Sequence, residues 1–372
     1  MTQSASAIPT KPHYAILDGL RGVAAVIVVL FHTFEAHAES SLTQIINHGY
    51  LAVDFFFVLS GFVIGYAYDD RWHKLTIGGF FKRRLQRLQP MVIMGMVIGA
   101  ICFYFGDSSL WPEIHNVPVW QLILTLIIGC TLIPVTPGMD IRGWEEMHPL
   151  DGPEWSLFFE YIANILYAIG LRKLSRKALS VLVVITAAIL VHYLLTSERG
   201  DVVGGWVINQ EHLRIGFTRL LYPFLAGLLL SRVARPGRIK HAFLLCSILV
   251  LVALAMPRIG GDAHRWANGL YEAFIIIFIF PLVVYIGASG FTTSKAENKI
   301  CKFLGDISYP LYITHYAFIY IYTGWASDHH LTNMPLAIGY GALTVVGSIL
   351  VAYLCLKYYD EPVRAWLKRK WS

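Results

Sequence analysis

The chain has 372 residues, 56% of them hydrophobic and only 15% charged, and its mean hydropathy is +0.56. A soluble domain of this length has no use for so much apolar surface, so the composition excludes a soluble fold and points to an all-α polytopic membrane protein. The net charge of +6 is concentrated between apolar stretches, which fits loops lying against anionic membrane lipids and argues against nucleic acid as a partner.

The first apolar segment, about 15–35, reads as a membrane helix that carries Asp18, Arg21 and His32. Charge in hydrocarbon costs several kcal/mol unless partnered, so such groups mark a working site. Arg21 and His32 are eleven residues apart, which puts them about 20° apart on one helical face and roughly 16 Å apart along the axis. A permanent cation near one interface and a titratable imidazole deeper in suit a polyanion held at the surface whose reactive end reaches inward. Arg21, the run from Gly22 to Phe31 and Ala36-His37-Ala38 imitate a secretory signal. The many spans that follow favour a retained first helix.

Further apolar stretches cover about 49–68, 90–106, 118–136, 154–171, 178–195, 214–231, 241–257, 268–288, 303–324 and 334–357, each near the ~20 residues needed to cross. With the first they make eleven, but eleven crossings put the basic loop 172–177 opposite the basic loop 71–87, against the positive-inside rule. The stretch 118–136 is short and broken by Pro134 and Pro137. Read as a re-entrant or interfacial segment, it leaves ten crossings with both termini cytoplasmic. Inside segments then hold 23 Lys and Arg, and outside loops hold only Arg142, Arg199, Arg258 and Arg265. The expected organisation is an N-terminal tail over 1–14, a membrane domain over 15–357 and a basic interfacial tail over 358–372. Five cysteines without paired spacing give neither a disulfide framework nor a zinc site, and no metal is expected.

Several motifs recur in an order that identifies a family. Leu17-Asp18-Gly19-Leu20-Arg21-Gly22 with His32, the span from Gly49 to Phe62, the basic Phe81-Lys82-Arg83-Arg84-Leu85-Gln86-Arg87-Leu88-Gln89-Pro90, Trp155-Ser156-Leu157-Phe158-Phe159-Glu160 and Ile307-Ser308-Tyr309-Pro310-Leu311-Tyr312-Ile313-Thr314-His315 together resemble the membrane acyltransferase-3 family. The likeness spans nearly the whole chain, and the form it is expected to resemble is the stand-alone one, without an appended esterase-like domain. Glu154 before the tryptophan and a single Glu160 where a pair is common depart from the pattern. The resemblance implies transfer of an acyl group, acetyl foremost, from cytoplasmic acyl-CoA to a carbohydrate or glycolipid hydroxyl at or across the bacterial inner membrane.

The residues make chemical sense of that. An imidazole can both accept and donate a proton at physiological pH, which makes His32 the expected general base or transient acyl carrier. Arg21, Arg83, Arg84 and Arg87 form the expected donor site, because guanidinium groups match phosphate geometry. Asp54 and Glu160 are expected on the acceptor side as catalytic carboxylates, with Trp155 and His315 as acceptor-binding residues. The Ser60-Gly61-Phe62-Val63-Ile64-Gly65 run reads as small-residue helix packing, and His329-His330 as a solvated loop. The rival reading is a non-enzymatic carrier of an anionic solute or lipid-linked sugar. It predicts repeat symmetry with discontinuous helices, which the sequence does not display. Oligomeric state, acceptor identity and the choice between direct transfer and an acyl-histidine intermediate stay open at this level.

Overall fold

A computed structural model describes residues 11, 13–38, 40, 42–235, 237–331 and 334–371. Most of the expected N-terminal tail lies outside them. Apolar runs of twenty or so residues satisfy their own backbone groups only as helices, and helices make up the architecture: α1 Ala15–Glu35, α2 Ala52–Tyr68, α3 Ile77–Tyr104, α4 Val119–Gly129, α5 Glu154–Ile169, α6 Arg176–Thr196, α7 Gln210–Val233, α8 Ala242–Ala255, α9 Trp266–Phe274, α10 Phe280–Ser289, α11 Lys295–Asp328, α12 Met334–Cys355 and α13 Glu361–Trp371. One turn of π-helix joins α9 to α10 and another joins α12 to α13. Among the described residues the only β pairing is two isolated bridges. Seven helical stretches are long and apolar enough to cross a membrane.

Two helices start earlier than hydropathy suggests. The basic segment expected as a loop is the opening of α3, begun at Ile77 with the Thr76 hydroxyl capping the Gly79 amide at 3.0 Å. Lys, Arg, Gln and Leu are strong helix formers, so charge lowered the hydropathy there without breaking the helix. Likewise α11 begins at Lys295 on a Ser294 cap and runs 34 residues through Pro310. The segment 118–136 holds only the 11-residue α4, about 16 Å of helix. The chain enters and leaves this region at the same end of the bundle, since Trp111 before α4 packs on Trp144 after it at 5.3 Å.

The basic segments meet at the other end. Lys11 pairs with Asp70 at 2.8 Å, Arg232 pairs with Asp69 at 2.6 Å and donates to backbone carbonyls of 171–174, and Lys82 donates to the Trp371 carbonyl. Close helix approach fixes the middle. Gly22 lies against the Leu304 backbone, joining α1 to α11, and Gly61 and Gly227 lie against the backbones of Phe224 and Val58, joining α2 to α7. No side chain fits at these contacts, so Gly61 of α2 serves packing, as expected, whereas Ser60 beside it donates to Glu160.

Candidate active site and transbilayer passage

Between the packed helices lie three spaces that share border residues. At the basic end a cavity of about 820 Å³ is bordered by Arg21 of α1, Arg83 and Arg87 of α3, and Lys302 of α11. At the opposite end a chamber of about 860 Å³ is bordered by His32 and Glu35 of α1, Trp155 of α5, Arg219 of α7, and Tyr316 and Tyr320 of α11. A constriction of about 120 Å³ lies between them and holds Ser60, Arg84, Glu160 and Ser308. It shares Arg21, Arg87 and Tyr309 with the basic cavity, and Val53 and Tyr312 with the chamber.

The helical spacing read from α1 holds here. Arg21 faces the basic cavity and the constriction, and His32 faces the chamber. Arg21 is fixed by Asp18 at 3.2 Å, by the Ser308 hydroxyl at 2.8 Å and by the Gly305 carbonyl at 3.3 Å. His32 Nδ1 sits 2.9 Å from the Glu35 carboxylate, one helical turn on. An ionised carboxylate only accepts, so that contact places the proton on Nδ1 and leaves Nε2 as the basic nitrogen. The His32 ring also stacks edge-on to Tyr316 with centroids 4.7 Å apart. Glu35 was missed in the sequence reading, although its i+3 spacing from His32 was there to be read.

His315 does not border any of the three spaces. It is fully buried behind His32, ring centroids 5.8 Å apart. Its Nδ1 lies 3.0 and 2.9 Å from the carbonyls of Leu311 and Tyr312, and Nε2 has no partner. Because carbonyls only accept, Nδ1 carries the proton. An acceptor-binding role at the chamber wall is therefore replaced by a place in the layer behind it.

Two carboxylates are also placed differently from expectation. Asp54 is fully buried and engaged by Arg219, which approaches it at 2.7 Å and also donates to the carbonyls of Tyr50 and Gly204. Arg219 borders the chamber and Asp54 does not, so the aspartate holds an arginine rather than a substrate. Burying an isolated charge costs several kcal/mol, and each of this pair supplies the other's counter-charge. Glu160 lies in the constriction, hydrogen-bonded to Ser60 at 3.0 Å and ion-paired with Arg84, away from the acceptor side. Arg84 points inward to this pair, whereas Arg83 and Arg87, one turn apart, face the basic cavity. Arg84 is thus the α3 arginine committed to the constriction, whereas Arg87 borders both spaces.

Trp155 borders the chamber, with the Arg219 guanidinium 5.0 Å from its ring. The wall continues through a folded segment after α4 that was not foreseen. Asp140 accepts from the amides of Arg142, Gly143 and Glu145. Arg142 lies over the Tyr320 ring at 3.4 Å, and the Tyr320 hydroxyl donates to Glu146. Burial outweighs the nearby Arg142 and pushes the Glu146 carboxyl up to about 7.

A helical bundle with a cationic cavity, a histidine-carboxylate pair in an aromatic chamber and, between them, an apolar constriction holding the Ser60–Glu160–Arg84 cluster has the layout of a membrane group-transfer enzyme. Comparison with known proteins places it: residues 14–353 match the acyltransferase-3 family, described as an acyltransferase domain, and the chain belongs to that family. It is a membrane acyltransferase. It is similar to Protein 2 in picA locus of Rhizobium radiobacter, 33% identical over 186 residues, covering 48% of this chain and 93% of that protein. It is also similar to the O-acetyltransferase OatA of Staphylococcus aureus, 21% identical over 94% of this chain, which spans 57% of OatA's length. No solved structure matches the chain.

Proposed function

We propose that this protein moves an acyl group, acetyl foremost, from acyl-CoA in the basic cavity to a carbohydrate or glycolipid hydroxyl in the aromatic chamber, across a bacterial inner membrane it crosses ten times. The observation that carries the reading is the constriction that joins two unlike cavities. One is lined by unpaired cations suited to a polyanion, and the other by aromatic rings and a histidine suited to a sugar hydroxyl. The similarity to OatA, an O-acetyltransferase by name, supports acetyl as the group moved. The gathering of basic segments at one end supports cytoplasmic placement of that end and of both termini.

In the direct route, His32 Nε2 accepts the proton of the acceptor hydroxyl as its oxygen attacks the thioester carbonyl. The carbon–oxygen bond forms, the carbon–sulfur bond breaks, and the thiolate takes the proton back from the imidazolium. Glu35 holds the ring and stabilises its charged form. If the imidazole instead carried the acyl group, an adduct on His32 would accumulate when acceptor is withheld.

The test is to incubate the purified full-length protein with radiolabelled acetyl-CoA and an envelope glycolipid fraction. Base-labile label in glycan, with release of one thiol per ester, is the expected result. Transport of an unaltered solute with the thioester intact would replace this reading by the carrier. Sidedness of the re-entrant segment is checked by Glu113→Cys and Glu145→Cys, both exposed. An impermeant maleimide should label both from outside intact cells, and labelling of only one would restore an eleventh crossing.

A further inference from the structure

The C-terminal helix was read from sequence as an interfacial anchor, and the fold puts it to another use. The π-helical turn over Leu356–Asp360 carries the chain from α12 into α13. From there α13 is tethered along the first turns of α3: Lys82 donates to the Trp371 carbonyl and lies 5.7 Å from the Trp371 ring, and Gln86 reaches the Leu367 carbonyl. This docking makes α13 one wall of the basic cavity, which it borders with Arg364 and Lys368.

The cations around that cavity divide into two kinds. Arg21 is paired with Asp18, Lys302 with Asp306 at 2.6 Å, and Arg364 with Asp360 at 3.0 Å. Arg83, Arg87 and Lys368 border the same space and make no ion pair or hydrogen bond with another described residue. Unpaired cations converging from two helices around one cavity form a site for a ligand with several negative charges. Asp360 adds a second signal. It is buried, borders the cavity and keeps Oδ1 without a partner, so an acceptor for a ligand hydroxyl or amino group stands beside the cations.

We infer that α13 is part of the donor site, and that Lys368 supplies its third phosphate-binding cation, opposite Arg83 and Arg87. This rests on the reading of acyl-CoA as donor. The ligand chemistry it names is the phosphate-bearing nucleotide portion, held at the cavity mouth while the thioester end enters the constriction.

Paired donors test it: acetyl-CoA, and acetyl-pantetheine, which has the same thioester arm and no phosphate. Lys368→Ala should raise KM for acetyl-CoA about tenfold, the usual scale for losing one hydrogen bond to a charged group, with kcat little altered. Lys368→Glu should raise it further. KM for acetyl-pantetheine should stay at the wild-type value in both. Lys370→Ala, which removes a charge that lies 4.9 Å from the Trp366 ring, should leave both donors unaffected. Unchanged acetyl-CoA kinetics in the Lys368 variants would overturn the inference. So would equal rises for both donors, which would mark altered packing, or an equal effect of Lys370→Ala, which would mark the charge of the tail rather than its position. Wild-type protein that binds no labelled acetyl-CoA overturns this inference and the donor assignment together, whereas wild-type binding left intact by Lys368→Glu overturns this inference alone.

Discussion

The two large cavities are nearly equal in volume, about 820 and 860 Å³, and nearly opposite in chemistry. Around the basic cavity three cations, Arg83, Arg87 and Lys368, pair with no described residue. Around the chamber the only arginine or lysine among the described residues is Arg219, and it is paired with Asp54. Unpaired cations that gather around one cavity leave their field free for a ligand of opposite charge. Paired charge fixes shape. The contrast teaches that counting arginines along the path says little, and that which of them lack a partner says a great deal.

The largest expected effect lies at the chamber wall. His32→Ala should lower turnover by about a thousandfold, within the range general-base removal produces, while equilibrium binding of acetyl-CoA stays at the wild-type value. Loss of donor binding in that variant would erase the division of labour between the cavities. Next, Arg219→Ala leaves Asp54 buried and unpaired, a loss of about 3–5 kcal/mol. The check is folded yield by size-exclusion chromatography, which should collapse. Replacing both members, Asp54→Leu with Arg219→Leu, should recover much of that yield. If Arg219→Ala folds normally and only weakens acceptor use, Arg219 is a ligand-binding group and the two cavities are more alike than described.

At the basic end Arg87→Ala should raise KM for acetyl-CoA about tenfold, about 1.4 kcal/mol, and leave the KM of the acceptor unchanged. The smallest effect concerns Glu146. Its carboxyl is raised in the fold from 4.5 to about 7 by burial. The folded chain therefore holds a proton that the unfolded chain releases, and stability falls as pH rises from about 4.5 through 7 and then levels. Thermal unfolding of Glu146→Gln should show a shallower decline over that window. An identical slope in variant and wild type would remove Glu146 from the account.

What the sequence made legible follows the range of the interactions involved. Arg21 and His32 sit on one helix, so their separation and shared face follow from helical geometry alone, and the fold places them as that geometry requires. Trp155 was legible for the same reason, as a residue at the start of an apolar helix. Asp54 was not, because its partner Arg219 lies 165 residues away and nothing local announces it. Glu160 was set at the wrong depth because the pairing with Arg84, on another helix, decides which way it faces. The early starts of α3 and α11 were hidden by charge, which a hydropathy window treats as loop although the residues favour helix. That the chain is a bundle of membrane-type helices could be inferred from apolar length, but the docking of α13 on α3 depends on polar contacts between distant segments, and no periodicity encodes that.

The central claim is that two substrates occupy opposite ends of one passage and meet at His32. Sealed membrane vesicles of both orientations, carrying the full-length protein and glycolipid acceptor, test it most directly when labelled acetyl-CoA is supplied only to the outer bath. The account predicts labelled ester when the bath faces the end carrying Arg83, Arg87 and Lys368, and none when it faces the chamber, until the vesicles are permeabilised. Ester formed from donor supplied on the chamber side of intact vesicles would contradict it.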